Sequence, residues 1–368
     1  MNKIFTLLLL FIGTSTTFGQ LTNETISING VPRAYKLYVP AGFNASTESP
    51  DMIIIMHGLG GTNSDMVSAG FNAIADTARV IAVYPQALNN GFGMAAWNNG
   101  TLLGSTADDL GFMHALIDKG LTDFNVNPAR VYASGFSMGS IMSHHMACEM
   151  NQRIAAIGAM AGTMATSDIS SCVPVYKTPV IHLHGTADGT VPYDGTALPS
   201  LSLVPQTIAF WRGVHGCDAT ADSTRLPDTG MDTITIDRFV YDNCDPVASL
   251  ELWRFNGAGH IYLYKPVNDI DEMIEVWMFL RKWNHSDPST LSLENHQLID
   301  FNVSPNPAND LVKITAGDSG LVRIMDLNGS VVHEQYVHSG TTELDLGSVK
   351  KGIYLVQLGA KTSKIVLN

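Results

Sequence analysis

The stretch Val131-Tyr-Ala-Ser-Gly-Phe-Ser-Met-Gly-Ser140 constrains this chain more than any other. Arg130 to Ser134 reads as a buried strand and runs into Gly135-Phe136-Ser137-Met138-Gly139. A segment without Gly or Pro follows, from Ser140 to about Asn151, and reads as a helix. A Gly-x-Ser-x-Gly sequence between a strand and a helix makes a sharp turn that lifts the serine hydroxyl above the sheet. Glycine is needed on both sides because the turn is too tight for a β-carbon. Ser137 is therefore expected in a strained backbone conformation.

The rest of the chain alternates strands with helices. Glu24 to Asn29 and Arg33 to Val39, joined through Gly30-Val31-Pro32, read as an antiparallel hairpin. Asp51 to Met56 is a continuous apolar run, the mark of a strand buried on both faces, and it ends in His57-Gly58-Leu59-Gly60-Gly61. A helix over Ser64 to Ala78, a strand over Val80 to Tyr84 and a Gly/Asn-rich loop carrying Trp97 follow. A helix from about Ala107 to Phe124 then leads to the Ser137 turn. Beyond it come strands at Ile154 to Met160 and Pro179 to His184, and a helix near Val204 to Val214. A strand pair (Thr233 to Tyr241, Ser249 to Phe255) and a final helix over Asp271 to Trp283 complete the pattern. This alternation predicts an α/β fold with a mostly parallel, doubly wound sheet.

Three further segments flank that unit. Residues 1–19 read as a signal peptide: Lys3, an apolar run from Ile4 to Ile12, and Thr17-Phe18-Gly19 before Gln20. That run is too short to span a bilayer, and no later one is long enough, so no transmembrane segment is expected. The α/β domain is then expected over 20–284, followed by a polar linker at 285–300. From 301 to 368 short alternating strands separated by Gly, Asn and Asp predict a small all-β sandwich of about seven strands. The net charge is −13, yet 301–368 carries six Lys/Arg against six Asp/Glu, so the acidity belongs to the α/β domain. Without a Lys/Arg-rich run, the chain has no electrostatic footprint for nucleic acid or an anionic membrane. In an exported chain the four cysteines, Cys148, Cys172, Cys217 and Cys244, are expected to form two disulfides. Of three connectivities, nearest-neighbour pairing closes two moderate loops and is preferred.

A serine nucleophile needs a base, a group to orient the base, and donors for the oxyanion. Ser137 is the candidate nucleophile. His260 is the candidate base, because it follows a strand and small residues (Gly257, Ala258, Gly259) that let a loop bring the ring close. Asp188, just past another strand end, is the candidate orienting acid, which gives the chain order Ser, Asp, His. The candidate oxyanion donors are the N–H groups of Met138 and Leu59, with Gly60 the next choice. Other polar residues have plainer readings. His57 shapes the oxyanion turn, and His144, His145, His182 and His184 pack or hydrogen-bond in the core. Asp108 and Asp109 favour a helix start. Asp194 is a substitute orienter on a loop. Trp97 is a candidate substrate-binding residue that could equally pack inside. No metal is expected, since no C-x-x-C and no Cys beside a His at ligand spacing occurs. No organic cofactor is called for either.

Several motifs together resemble the secreted esterases of the polyhydroxybutyrate depolymerase and feruloyl esterase type. They are HGLGG at 57–61, WNNG at 97–100, DDLGFMHALID at 108–118 and NPARVYASGFSMGS at 127–140. HGTADGTVPYDG at 184–195, Trp211 with Gly216-Cys217, and GAGH at 257–260 complete the set. The resemblance implies an α/β-hydrolase fold, Ser137, Asp188 and His260 as a triad, two disulfides, and carboxylic esters as substrates, polymeric or small. The chain departs from the pattern at Met138-Gly139-Ser140 and at Ile261-Tyr262-Leu263, which bears on the choice of ester. Residues 301–368 resemble the type A sorting domain of the type IX secretion system. This rests on Ser304-Pro-Asn-Pro-Ala-Asn-Asp310, Val322 to Gly329, Asp345 to Gln357 and Lys364-Ile365-Val366. It implies the type IX machinery as a partner and an extracellular or cell-surface destination. Two alternatives stand beside this reading: a peptidase on the same fold, and a non-catalytic binding protein on a hydrolase scaffold.

Overall fold

The computed structural model describes residues 19–230, 232–285 and 301–368, the last apart from 318–319, 327–330, 338–339 and 359–360. All but the last residue of the expected signal peptide, and all but the first of the expected linker, lie outside the described residues. The chain divides into two units, Met1–Leu291 and Ser292–Asn368.

The first unit opens with a hairpin, β1 (Gln20–Ile28) and β2 (Val31–Val39), then β3 (Asp51–Met56). Two short helices, α1 (Asn63–Ser68) and α2 (Phe71–Ala78), lead to β4 (Val80–Pro85). Helix α3 (Asp109–Phe124) precedes β5 (Val131–Phe136), α4 (Met138–Glu149), β6 (Ala156–Met160) and α5 (Thr166–Ser171). Then follow β7 (Val180–Gly185), α6 (Val204–His215), β8 (Ala221–Arg225), β9 (Thr235–Tyr241), β10 (Leu250–Asn256) and α7 (Glu272–Leu280). The strands form one sheet in the order β1-β2-β4-β3-β5-β6-β7-β10-β9-β8. Its centre, from β4 through β10, is parallel. Both flanks are antiparallel.

Strand β3 shows why a continuous apolar run was needed. Met52, Ile54 and Met56 face one core, with Phe112 of α3, Met142 of α4 and Ile208 of α6. Ile53 and Ile55 face the other, with Phe71 of α2 and Trp277 of α7. Alternate side chains of a strand point to opposite faces, so helices on both faces demand apolar residues at every position.

Two parts of this unit differ from expectation. The single helix expected over Ser64 to Ala78 is two helices, because Gly70 between them sits at φ 90°, a conformation that cannot continue an α-helix. The short elements α5 and β8 were not anticipated; β8 is an edge strand with four of its five residues exposed, so it carries no apolar alternation. The disulfides join Cys148 to Cys172 and Cys217 to Cys244. The first ties the last turn of α4 to the end of α5, and the second ties the segment after α6 to the β9–β10 connection. No described helix is long and apolar enough to cross a membrane.

The second unit contains β11 (Phe301–Ser304), β12 (Leu311–Ala316), β13 (Gly320–Met325), β14 (Val331–Val337), β15 (Gly340–Asp345), β16 (Gly352–Leu358) and β17 (Lys361–Leu367). They form two antiparallel sheets, β11-β12-β15 and β14-β13-β16-β17. Val312, Ile314 and Leu344 from one sheet share a core with Val322, Ile324, Val356 and Ile365 from the other. On β12, Val312, Ile314 and Ala316 are buried while Leu311, Lys313 and Thr315 are exposed, the period-two pattern of a sandwich strand.

Candidate active site

Ser137 lies between β5 and α4 at φ 56° and ψ −120°, outside the usual regions for a residue with a side chain. Its neighbours hold it there. The Ser137 N–H donates to Met160 O at 2.8 Å, and Ser137 O accepts from the Ile141 N–H at 3.1 Å. A β-carbon on Gly135 would lie 2.4 Å from the Gly139 carbonyl carbon, and one on Gly139 would lie 2.0 Å from Met56 O. The two glycines of the motif let α4 start directly against β5 and the end of β3.

Asp188 and His260 follow the C-terminal ends of β7 and β10, the strands beyond β6 in the sheet. Their loops are stapled together. Thr186 N–H donates to Phe255 O at 2.9 Å, Ala187 N–H to Ala258 O at 2.8 Å, and Gly257 N–H to Thr186 Oγ1 at 2.9 Å. A β-carbon on Gly185 would lie 2.3 Å from Ala258 O, so glycine permits this approach. The result brings the three side chains into line. His260 Nε2 is 2.9 Å from Ser137 Oγ, and His260 Nδ1 is 2.7 Å from Asp188 Oδ2. The other carboxylate oxygen, Oδ1, accepts the N–H groups of Thr190 and Val191, each at 2.8 Å. Burial opposes ionisation of Asp188. The donors from His184, His260 and Val191 outweigh it and hold the carboxyl well below the usual carboxylate range.

The turn after β3 faces Ser137. The Gly60 N–H is tied to Ala95 O at 2.8 Å and the Gly61 N–H to Gly58 O at 3.0 Å, while no described acceptor takes the Leu59 N–H. The Met138 N–H opens α4 and has no acceptor within the helix. His57 fixes this turn from behind. Its Nε2 accepts the Ala87 N–H at 3.1 Å, so its proton sits on Nδ1, which donates to Gly58 O at 2.7 Å. Burial pushes the His57 imidazole below its usual range, in keeping with a neutral ring.

Residues 43–202 match the profile of the phospholipase/carboxylesterase family. A putative esterase of Nocardia uniformis subsp. tsuyamanensis is 32% identical over 257 residues, which span 66% of this chain and 74% of that protein. The chain belongs to this carboxylesterase family. It is a carboxylic ester hydrolase. The esterase is also 26% identical over 266 residues to a bifunctional acetylxylan esterase/xylanase of Neocallimastix patriciarum. That match covers 72% of this chain but 35% of the fungal protein. Among solved structures, an acetyl xylan esterase from Aspergillus awamori has the same fold, at a TM-score of 0.52 and 17% identity, over 71% of this chain and 100% of that one. Residues 302–368 match the secretion system C-terminal sorting domain, so the second unit of the esterase is such a domain.

Beside Ser137 the esterase has a cavity of about 350 Å³, lined chiefly by apolar side chains, among them Leu59, Met138, Ile141, Val191, Leu198 and Leu201. Trp97 is not part of it, which corrects its assignment as a substrate-binding residue. The indole is fully buried, lies tilted beside the His57 ring at 5.0 Å between centroids, and donates from Nε1 to His57 O at 2.8 Å. An indole needs one buried acceptor, and here the turn after β3 supplies it. Asp194 is exposed and stands outside the Ser137–His260–Asp188 line. Asp108 caps α3 through Gly111, whereas Asp109 is not a simple helix-start charge: it pairs with the buried Arg33. His145 pairs with Asp168. His144, His182 and His184 lie together behind Asp188, a grouping that sequence reading missed.

Proposed function

We propose that the chain is an exported serine esterase acting through Ser137, His260 and Asp188. The observation that carries this reading is the pair of contacts of His260, 2.9 Å to Ser137 Oγ and 2.7 Å to Asp188 Oδ2. His260 Nε2 takes the Ser137 proton as Oγ attacks the ester carbonyl, and the ring donates from Nδ1 to the ionised Asp188 throughout. The negative oxygen of the tetrahedral intermediate is received by the N–H groups of Met138 and Leu59. The protonated His260 then gives its proton to the leaving alcohol, which leaves an acyl group on Ser137. Water, deprotonated by the same ring, releases the acid and restores the hydroxyl.

The cavity bears on the substrate. A volume of about 350 Å³ falls within the range of small-ligand pockets, and an acetyl group would leave most of it empty. The reading is an ester with a bulky apolar part, such as a feruloyl group or a hydroxyalkanoate unit. Relatives described as feruloyl esterase, from Piromyces equi, and poly(3-hydroxyalkanoate) depolymerase, from Paucimonas lemoignei, support both options. Export rests on the sorting domain at 302–368 together with the signal-like residues 1–19, and takes the type IX machinery as the partner.

The test compares the purified protein with Ser137→Ala on p-nitrophenyl acetate, p-nitrophenyl butyrate, methyl ferulate and polyhydroxybutyrate film. Activity in the variant is expected to fall by about a millionfold, to background. The parent is expected to turn over the butyrate or ferulate at least about tenfold faster than the acetate, as burying one or two methylenes allows. Retained activity in Ser137→Ala would sink the triad, and acetate preference would sink the cavity argument alone.

A further inference from the structure

Behind Asp188 runs a line of hydrogen bonds that the proposed chemistry does not use. The Trp211 Nε1–H of α6 donates to His144 Nδ1 on α4 at 3.0 Å. His144 Nε2 is 3.3 Å from His182 Nδ1, and His182 Nε2 is 3.2 Å from His184 Nδ1, both on β7. His184 Nε2 ends the line, 2.8 Å from Val191 O and 3.3 Å from Asp188 Oδ2. All four rings are fully buried, at 0% exposure. Residues two apart on a strand share a face, so β7 turns His182 and His184 toward α4 and α6 while Ile181 and Leu183 enter the opposite core.

The direction of this line is fixed by chemistry. An indole N–H can only donate, so His144 Nδ1 must present a lone pair. A neutral imidazole then carries its single proton on Nε2, which donates to His182 Nδ1. The same constraint passes to His182 and then to His184, whose Nε2–H donates to Val191 O with Asp188 Oδ2 alongside at 3.3 Å. Burial keeps His144 and His182 neutral: His144 is pushed down to about 3 and His182 well below its usual range, with neighbouring histidines adding to the effect.

We infer that Trp211, His144, His182 and His184 form a one-way hydrogen-bond relay that holds a donor on Asp188, and that His184 is thereby a positioning residue of the triad. This rests on the reading of Ser137, His260 and Asp188 given above. In the opposite tautomer the His184 Nε2 lone pair would face Val191 O and Asp188 Oδ2 together. That repulsion would displace the carboxylate from His260 and the Val191 segment from the cavity wall. The relay removes this alternative by anchoring the polarity at the far end, at an indole that has only one way to bond.

Two measurements on the full-length protein test the relay. Long-range proton–nitrogen correlation spectra of ¹⁵N-histidine-labelled protein at neutral pH should show His144, His182 and His184 protonated on Nε2. A proton on Nδ1 of any of the three overturns the inference. Kinetics on p-nitrophenyl butyrate compare His144→Gln, which keeps one acceptor and one donor, with His144→Leu, which keeps neither. The glutamine variant should retain most of kcat. The leucine variant should lose about tenfold or more in kcat with KM within about twofold, the signature of a misplaced catalytic group. Equal kcat in the two variants would reduce the chain to core packing and overturn the inference. If His144→Leu does not fold, Trp211→Phe, which removes the anchoring N–H, takes its place with the same expected loss, and the spectrum stands regardless. Activity surviving in Ser137→Ala would instead condemn the triad and leave the tautomer result intact.

Discussion

Adjacent carboxylates at the start of α3 have unrelated roles. Asp108 accepts the Gly111 N–H at 2.9 Å, the bond of an N-cap. Asp109 is paired with Arg33 of β2, and neither side chain is more than 1% exposed. The guanidinium also lies 4.2 Å from the centroid of the Phe112 ring. Removing one member of a buried pair strands the other without water, which usually costs about 3–5 kcal/mol. Asp109→Ala is therefore expected to lose about that much stability, read as a lower urea midpoint; a change within about 0.5 kcal/mol would mean that water reaches Arg33. From sequence both carboxylates look alike, because the partner that separates them is 76 positions away. Trp97 was illegible for the same reason. Its acceptor, His57 O, is 40 positions away, and an indole suits a cleft as well as a core. That Ser137, Asp188 and His260 meet was legible because Ser137 directly follows β5, the other two lie within four residues of the ends of β7 and β10, and all are set among small residues.

At the scale of elements, local pattern predicted what was apolar and missed what was not. β3 and β4 are apolar at nearly every position, and their extents came out to within a residue. β8 has no apolar face, and is held by its backbone pairing to β9 from Ala221–Tyr241 to Arg225–Asp237. The relay is an element-scale object too. Histidines at alternate positions of β7 could have hinted at a shared face, but nothing local points from them to α4 or α6. The disulfide Cys217–Cys244 spans 27 positions that include β8 and β9, the edge most in need of a constraint. Replacing both cysteines with serine is expected to lower stability by about 2–4 kcal/mol, mainly by freeing the unfolded chain. Turnover at 25 °C should be unchanged, because Ser137, Asp188 and His260 hang from strands outside that loop. An unaltered urea midpoint would show that strand pairing alone holds the edge.

For the whole molecule, buried histidines set the response to acid. His144 is pushed down to about 3 and His215 to about 4, both by burial first, and His57 and His182 are lowered as well. Above their ordinary value of about 6.5 these rings are neutral folded or unfolded, and stability does not depend on them. Below it the unfolded chain binds protons that the folded one refuses, so stability falls as pH drops toward the folded values. The buried Glu272 acts in the opposite sense, since burial raises its carboxyl well above the usual range. Glu275, raised by burial as well, acts with it, and two carboxyls against four rings still leave acid destabilising. Each ring contributes up to about 1.4 kcal/mol per pH unit, so lowering the pH from 6.5 to 5 is expected to cost several kcal/mol. Urea midpoints at the two pH values check this; equal midpoints would mean that water reaches the rings.

The stapling of the β7 and β10 loops separates two kinds of heritable change. The loops of Asp188 and His260 are registered to each other by backbone bonds, such as Ala187 N–H to Ala258 O at 2.8 Å, and not by the length of chain that connects them. The cavity wall is drawn largely from other stretches, around Leu59, Leu102 and Leu198. On the proposed reading, variation can therefore rewrite which ester is accepted while Asp188 and His260 stay in register, and a lineage can change its diet without relearning its chemistry.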